Sequence, residues 1–217
     1  MRVPVCFLVG AGPMDPGSSF SPRPGDLLIA ADGGLPAVEG MGLIPDLVVG
    51  DFDSLGAIPC HSNTVVLPRE KDVTDMHAAI DLGLERGYTR FVLYGGTGGR
   101  LAHTLANLQL LDSLARQNCR GFLIGGGTVA TAVHNGALDF PPSLSGYLSV
   151  FCSGAPAQGV TLQGLKYELT DAQLTPDFPL GVSNEFTGAA ARVSVTDGTL
   201  LVLWQGDHVE EHLLRTL

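Results

Sequence analysis

Positive charge is scarce in this chain. Its 217 residues carry 12 Lys and Arg against 22 Asp and Glu, a formal net charge of −10. That balance argues against a nucleic-acid partner, because no basic surface would release the polyanion's counterions. Small phosphorylated anions remain open wherever a cation mediates the contact. Cysteine is scarce too. Cys6, Cys60, Cys119 and Cys152 lie far apart and none forms a Cys-x-x-Cys pair, which argues against both a zinc site and a secreted disulfide framework. Reduced thiols in a cytoplasmic protein are the better reading. Long apolar runs are missing as well: none reaches the ~20 residues that span a bilayer. Met1-Arg2 followed by Val3 to Ala11 has the faint outline of a signal peptide. It reads better as a buried first strand running into a turn at Gly10-Ala11-Gly12.

What is present suits a folded chain of one or two domains. Hydrophobic residues make up 45% and charged residues 16%, enough to bury a core without a disulfide or a structural metal. The glycines and prolines are dispersed between apolar runs as turn signals. Over about the first 135 residues, strand and helix patterns alternate. Val5–Val9, Leu27–Ala30, Leu47–Val49, Thr64–Leu67, Phe91–Tyr94 and Phe122–Ile124 are short apolar runs, most ending in glycine or aspartate. They fit strands of a parallel sheet covered on both faces. One helix pattern runs from about Asp72 to Arg86 and stops at Gly87. Another runs from about Arg100 to Arg116, with Leu101, Leu105 and Leu108 expected against the sheet.

After Phe140 the helical period disappears. Tyr147–Phe151, Val160–Leu162, Ala190–Val195 and Leu200–Trp204 read as strands, with Asp197-Gly198 as a hairpin signal between the last two. The expected fold is α/β: an open, mainly parallel sheet with flanking helices over residues 1–138, then a smaller antiparallel β domain over 139–217, with a hinge near Pro141-Pro142.

The aspartates carry the chemistry. Asp32 follows the second apolar run, Asp51 and Asp53 follow the third, and Asp72 and Asp75 follow the fourth and open a helix. In an open parallel sheet these positions share the edge where ligands bind. Two carboxylates ~4 Å apart repel by about 4 kcal/mol at an effective dielectric of 20, so such a cluster calls for a cation. An oxygen-only ligand set favours Mg2+, which takes its remaining ligands from water and substrate phosphates. Asp51 and Asp53 would face one ion if their segment is extended. Any one of these residues could instead be a helix cap or turn residue, Asp72 above all.

Gly95-Gly96-Thr97-Gly98-Gly99-Arg100 follows a strand and opens a helix. Backbone amides there can approach phosphate oxygens closely. Arg100, His103 and Asn107 form one polar stripe on that helix. No Gly-Lys-Ser/Thr follows, so this is not a P-loop. Gly125-Gly126-Gly127-Thr128 could touch nucleotide or simply turn the chain, and the turn is the better reading.

Taken in order, Ala31-Asp32-Gly33-Gly34, Pro45-Asp46, Gly50-Asp51-Phe52-Asp53-Ser54-Leu55, Lys71-Asp72-Val73-Thr74-Asp75 and Gly95 to Asn107 resemble the motifs of thiamine pyrophosphokinases. Gly164-Leu165-Lys166-Tyr167 and Ser183-Asn184-Glu185 resemble that family's C-terminal motifs. One position departs: the family pattern carries Asp where Ala102 stands, just before His103.

The resemblance implies a C-terminal β-sandwich that binds thiamine, a homodimer with sites at the subunit interface, and transfer of diphosphate from ATP to thiamine. It implies Asp51, Asp53 and Asp75 as Mg2+ ligands, and Asp72 or Asp75 as general base. Asp32, Gly33, Thr74, Gly96, Thr97 and Arg100 would hold ATP, with His103 and Asn107 supporting that helix face or touching phosphate. Tyr167 or Trp204 would supply an aromatic face to thiamine, and Ser183 and Asn184 its polar partners. Trp204 has an alternative reading as a core residue at a strand end. The rival functions are diphosphate transfer to another small alcohol such as a hydroxymethyl-pterin, an ordinary kinase reaction, and a non-catalytic nucleotide-binding module.

Overall fold

The structure, a computed structural model, describes residues 3–16, 18, 20–53, 56–68, 70, 72–209 and 211–215. Met1, Arg2, Ser54, Leu55 and Lys71, which figure in the readings above, lie outside the described residues. The chain divides into two compact units, Met1–Asn107 with Leu123–Gly126, and Leu108–Phe122 with Gly127–Leu217.

In the first unit the short apolar runs become strands: β1 (Cys6–Val9), β2 (Leu27–Ala31), β3 (Leu47–Gly50), β4 (Thr64–Val66), β5 (Arg90–Tyr94) and the end of β6 (Arg120–Gly125). β1, β2, β3 and β5 are buried at every position, as strands covered on both faces must be. The order is β6-β5-β1-β2-β3-β4, and β1 pairs in parallel with both β2 and β5. The chain therefore steps outward from β1 through β2, β3 and β4, then returns to the other side of β1 as β5. The gap between the loops that follow β1 and β5 is the topological switch point, where sheets of this kind bind ligands.

The helices of this unit are α1 (Leu35–Gly40), α2 (Asp75–Glu85) and the start of α3 (Leu101–Arg116). α2 begins later than the expected Asp72 because Thr74 caps it, its hydroxyl accepting from the His77 amide at 3.2 Å. It ends where expected, with Gly87 at a positive φ of 81°. Gly83 lets α2 approach the sheet, since a methyl group there would lie 2.6 Å from the Phe91 ring.

α3 turns a different face inward from the one expected. Leu101 and Leu105 are 72% and 54% exposed, while Asn107, Leu110, Leu111 and Leu114 are buried. The buried stripe holds the helix's other apolar set, Leu110, Leu111 and Leu114. Asn107, also buried, donates its amide to the Gly96 carbonyl at 2.8 Å.

The second unit holds β7 (Thr128–His134), β8 (Ala137–Phe140), β9 (Tyr147–Cys152), β10 (Ala157–Gln163), β11 (Leu169–Leu174), β12 (Gly181–Glu185), β13 (Ala191–Ser194), β14 (Thr199–Gln205) and a short α4 (Glu211–Arg215). Two antiparallel sheets form, ordered β12-β9-β14-β7 and β11-β10-β13-β8. Phe140 of one and Trp204 of the other meet at 5.3 Å between ring centroids, edge to face, in the core of the sandwich. β7 and β8 pack with the later strands, so the second unit takes in residues ahead of the composition change at Phe140.

Asp197-Gly198 does turn the chain, with Gly198 at φ 111°, but it does not make a hairpin. β13 and β14 belong to different sheets. The Asn135 side chain accepts from the Gly198 amide at 2.8 Å, holding the turn where the chain passes from one sheet to the other. Among the described residues, no helix is long and apolar enough to cross a membrane.

Candidate active site

A cleft of about 570 Å³ opens at the switch point. Loops at the carboxyl ends of β1, β2, β3 and β5 line it, together with the first turn of α2 and one face of α3. Asp32, Asp51, Asp53 and Asp75 all reach it. So do Thr74, Gly96, Thr97, Arg100, His103 and Asn107. Gly33 and Asp72 are not among the lining residues, and Asp72 is exposed beyond the capped end of α2.

Each acid is delivered by a local device. Asp32 opens a short 3-10 turn, Asp32–Gly34, at a positive φ of 44°. Gly34 makes that turn possible: a methyl group on it would lie 1.9 Å from the Val9 carbonyl oxygen. Asp75 is the first residue of α2, placed by the Thr74 cap. Asp51 and Asp53 share the cleft, but not through an extended segment. Phe52 sits at φ 58°, a left-handed conformation uncommon for a bulky residue. Its ring is 2% exposed. The buried ring anchors a tight turn whose two flanking carboxylates both line the opening, so both acids reach it by a route other than strand alternation.

The glycine loop is interlocked with the loop after β1. Gly10 donates to the Tyr94 carbonyl at 2.8 Å and Gly12 to the Gly95 carbonyl at 2.7 Å. Gly95 takes a φ of 62°, and a methyl group on it would lie 2.3 Å from the Gly10 oxygen. Arg100 and His103 touch each other through the guanidinium and the imidazole Nε2. Among the described residues lining the cleft, Arg100 is the only fixed positive charge, set against four carboxylates.

That imbalance suits a cation. Among the described residues no three His, Cys, Asp or Glu side chains come close enough together to hold a metal by themselves. Carboxylates spread around one cleft nevertheless fit a hard divalent ion that keeps its waters and takes phosphate oxygens from a substrate. The linings that sequence reasoning missed are Gly10, Ala11 and Gly12, with Ala31, Met76 and Thr104. The glycine turn after β1 was visible as a turn. Its place in the cleft depends on β1 and β5 being neighbours, which no local pattern reveals.

In the second unit, Tyr167 is 59% exposed and Ser183 is exposed at φ 58°. Asn184 is buried and its amide is committed to the backbone. It donates to the Tyr167 carbonyl at 2.7 Å and accepts from the Tyr167 and Glu185 amides, both at 2.9 Å. Asn184 thus fixes the turn that presents Tyr167. Lys166 donates to Glu185 at 2.6 Å and lies 5.5 Å from the Tyr167 ring centroid. The hydrogen bond to Glu185 raises the Lys166 pKa. Trp204 is 2% exposed, packed edge-on by Phe122 and Phe140. Of the two aromatics, Tyr167 is the one that offers an open ring.

Residues 23–123 match the family model described as thiamin pyrophosphokinase, catalytic domain, and residues 137–200 match thiamin pyrophosphokinase, vitamin B1 binding domain. Thiamine pyrophosphokinase of Bacillus subtilis (strain 168) is 30% identical over 192 residues, covering 83% of this chain and 88% of that protein. A crystal structure of thiamine pyrophosphokinase from Bacillus subtilis is similar with a TM-score of 0.83 at 28% identity, over 94% of this chain and 100% of that one. A thiamin pyrophosphokinase family protein from Enterococcus faecalis gives 0.79 at 28% identity, over 94% and 100%. With both models matched in order and a relative this similar over most of its length, the chain belongs to the thiamine pyrophosphokinase family.

Proposed function

We propose that this chain transfers the diphosphate group of ATP to the hydroxyethyl oxygen of thiamine, giving thiamine diphosphate and AMP. The observation that carries the reading is the convergence of Asp32, Asp51, Asp53, Asp75 and the glycine loop on one cleft, in a chain that also matches the vitamin B1 binding model.

In this reading a bond forms between the thiamine oxygen and the β-phosphorus. The bond from that phosphorus to the α–β bridging oxygen breaks, and the oxygen leaves on AMP. The hydroxyl proton passes to a carboxylate. Asp75 is the better placed acceptor, because it lines the cleft and Asp72 does not. Asp51, Asp53 and Asp75 would hold Mg2+, which when bound neutralises phosphate charge. Asp32, Thr74 and Thr97 hold the nucleotide, as do the amides around Gly96, and Arg100 meets the phosphates beside His103. Such chemistry rests on positioning and charge stabilisation. Asn107 acts through the Gly96 loop it is bonded to.

Residues 1–138 form the ATP-binding part in this reading and 139–217 the thiamine-binding part, in line with the spans of the two family models. Tyr167 and Ser183 meet thiamine, Asn184 holds Tyr167 in place, and Trp204 supports the sandwich core. The protein works in the cytoplasm as a homodimer with its sites at the subunit interface. The free cysteines support the first point. The exposed Leu101 and Leu105, on the helix that carries Arg100's partner His103, support the second.

The test is direct. Purified protein is incubated with ATP, Mg2+ and thiamine, and both products are separated by chromatography. AMP with thiamine diphosphate, abolished by a chelator, is the expected result. ADP with thiamine monophosphate would overturn the transfer type, and no thiamine-dependent product would overturn the acceptor.

A further inference from the structure

Thr97 sits where three loops meet. The loop after β1 is laced to Gly95 and Tyr94 by two backbone hydrogen bonds. Gly98 on the far side of Thr97 packs against Pro13, close enough that a methyl group there would lie 2.7 Å from its ring. The end of β6 presses on Thr97 itself. A methyl group on Gly125 would lie 2.1 Å from the Thr97 hydroxyl oxygen and 3.4 Å from its Cβ. Thr97 can keep its place only while Gly125 stays as it is.

The next residue along is held from the first loop. The Asp15 carboxylate accepts a hydrogen bond from the Gly126 amide at 2.8 Å, across 111 residues of sequence. Gly126 and Gly127 both take left-handed φ values, 64° and 66°, so this turn adopts a backbone few side chains would enforce on their own. Further along the Asp15 loop, Phe20 stacks between Phe7 and Tyr94, with centroids 5.3 and 4.7 Å away. Asp15 itself does not line the cleft.

The geometry points to Asp15 as a positioning residue for the nucleotide. It ties the turn after β6 to the loop after β1, and through Gly125 it sets where the Thr97 hydroxyl and the amides beside it stand in the cleft. The inference rests on the reading of the cleft as the ATP site. A carboxylate is suited to the task because its bond to an amide is charge-assisted and stronger than a neutral one.

The test measures ATP affinity by calorimetry and, separately, turnover with thiamine. Asp15→Ala is expected to weaken ATP binding about tenfold and leave the KM for thiamine within about twofold. Asp15→Asn keeps an acceptor oxygen and is expected to stay within about threefold of the parent protein. Gly125→Ala, which crowds Thr97 from the other side, is expected to reproduce the loss of ATP affinity. In the Thr97→Ala background, Asp15→Ala is expected to add less than twofold. Unchanged ATP affinity in Asp15→Ala overturns the inference. So does a loss that is equal for ATP and thiamine, or one that is undiminished in the Thr97→Ala background. A parent protein that binds ATP but makes no thiamine diphosphate leaves this inference standing and overturns the acceptor reading alone; one that binds no ATP overturns both.

Discussion

The amide of Asp53 donates to the carboxylate of Asp51 at 3.2 Å, closing a turn over the buried ring of Phe52. Both acids therefore flank a buried apolar side chain that is not among the residues lining the cleft. Phe52→Ala should cost about 3 kcal/mol of stability from the lost packing and reduce turnover at least tenfold at temperatures where the protein remains folded. Phe52→Leu should recover most of both. Thermal melts paired with steady-state rates check this, and an alanine variant with parental turnover would show that the turn forms without its anchor.

Asp53→Ala should abolish turnover while leaving the melting temperature unchanged or raised. Asp53 faces solvent at the rim of a cleft that already holds Asp32, Asp51 and Asp75. Removing one carboxylate relieves repulsion in the absence of metal. A Mg2+ titration of the activity of Asp51→Asn should show a raised requirement for the ion, and normal turnover in Asp53→Ala would remove that residue from the metal set.

Tyr167 and Asn184 should separate in their effects. Tyr167→Ala exchanges an exposed ring, so its melting temperature should hold while the KM for thiamine rises about tenfold, close to 1.4 kcal/mol. Asn184→Ala leaves backbone groups of Tyr167 and Glu185 without their partner and should cost about 1–3 kcal/mol, with a rise in the thiamine KM as well. Equal stability losses in the two variants would contradict the division of labour between ring and amide.

The thiols should differ sharply in reactivity. Burial pushes the Cys6 thiol pKa far up, so at pH 8 almost none of it is thiolate, and the side chain is fully buried besides. Cys60 is exposed. Mass spectrometry after iodoacetamide treatment should find Cys60 modified in the folded protein and Cys6 modified only in denaturant. Rapid labelling of Cys6 under native conditions would mean that β1 opens readily.

Most of the first sheet was legible because β1, β2, β3 and β5 are apolar at nearly every position and stop at glycine or aspartate. β11 and β12 were missed for the opposite reason. Leu169–Leu174 and Gly181–Glu185 are edge strands, half exposed and rich in polar residues, so neither carries an apolar run. In the cleft, each acid announced itself by following a strand. Local pattern left the rotation of α3 ambiguous, because the helix carries two leucine sets and only Leu110, Leu111 and Leu114 are buried, and it could not supply the inward company of Gly10 and Gly12, which follows from strand order. Phe52 misled in a specific way. An apolar residue between two acids looks like strand alternation, and only its left-handed backbone reveals a turn.

The position of β14 has a consequence for synthesis. It lies between β7 and β9, paired with β7 along its whole length from Thr199 to Gln205. β7 and β9 are translated earlier, and they cannot complete their sheet until those residues have left the ribosome. A nascent chain stopped before Thr199 would hold two apolar strands with facing edges open and Phe140 lacking the indole it packs on. Such a chain should be captured by chaperones or proteases, and release of the final strand is the event that ends its exposure.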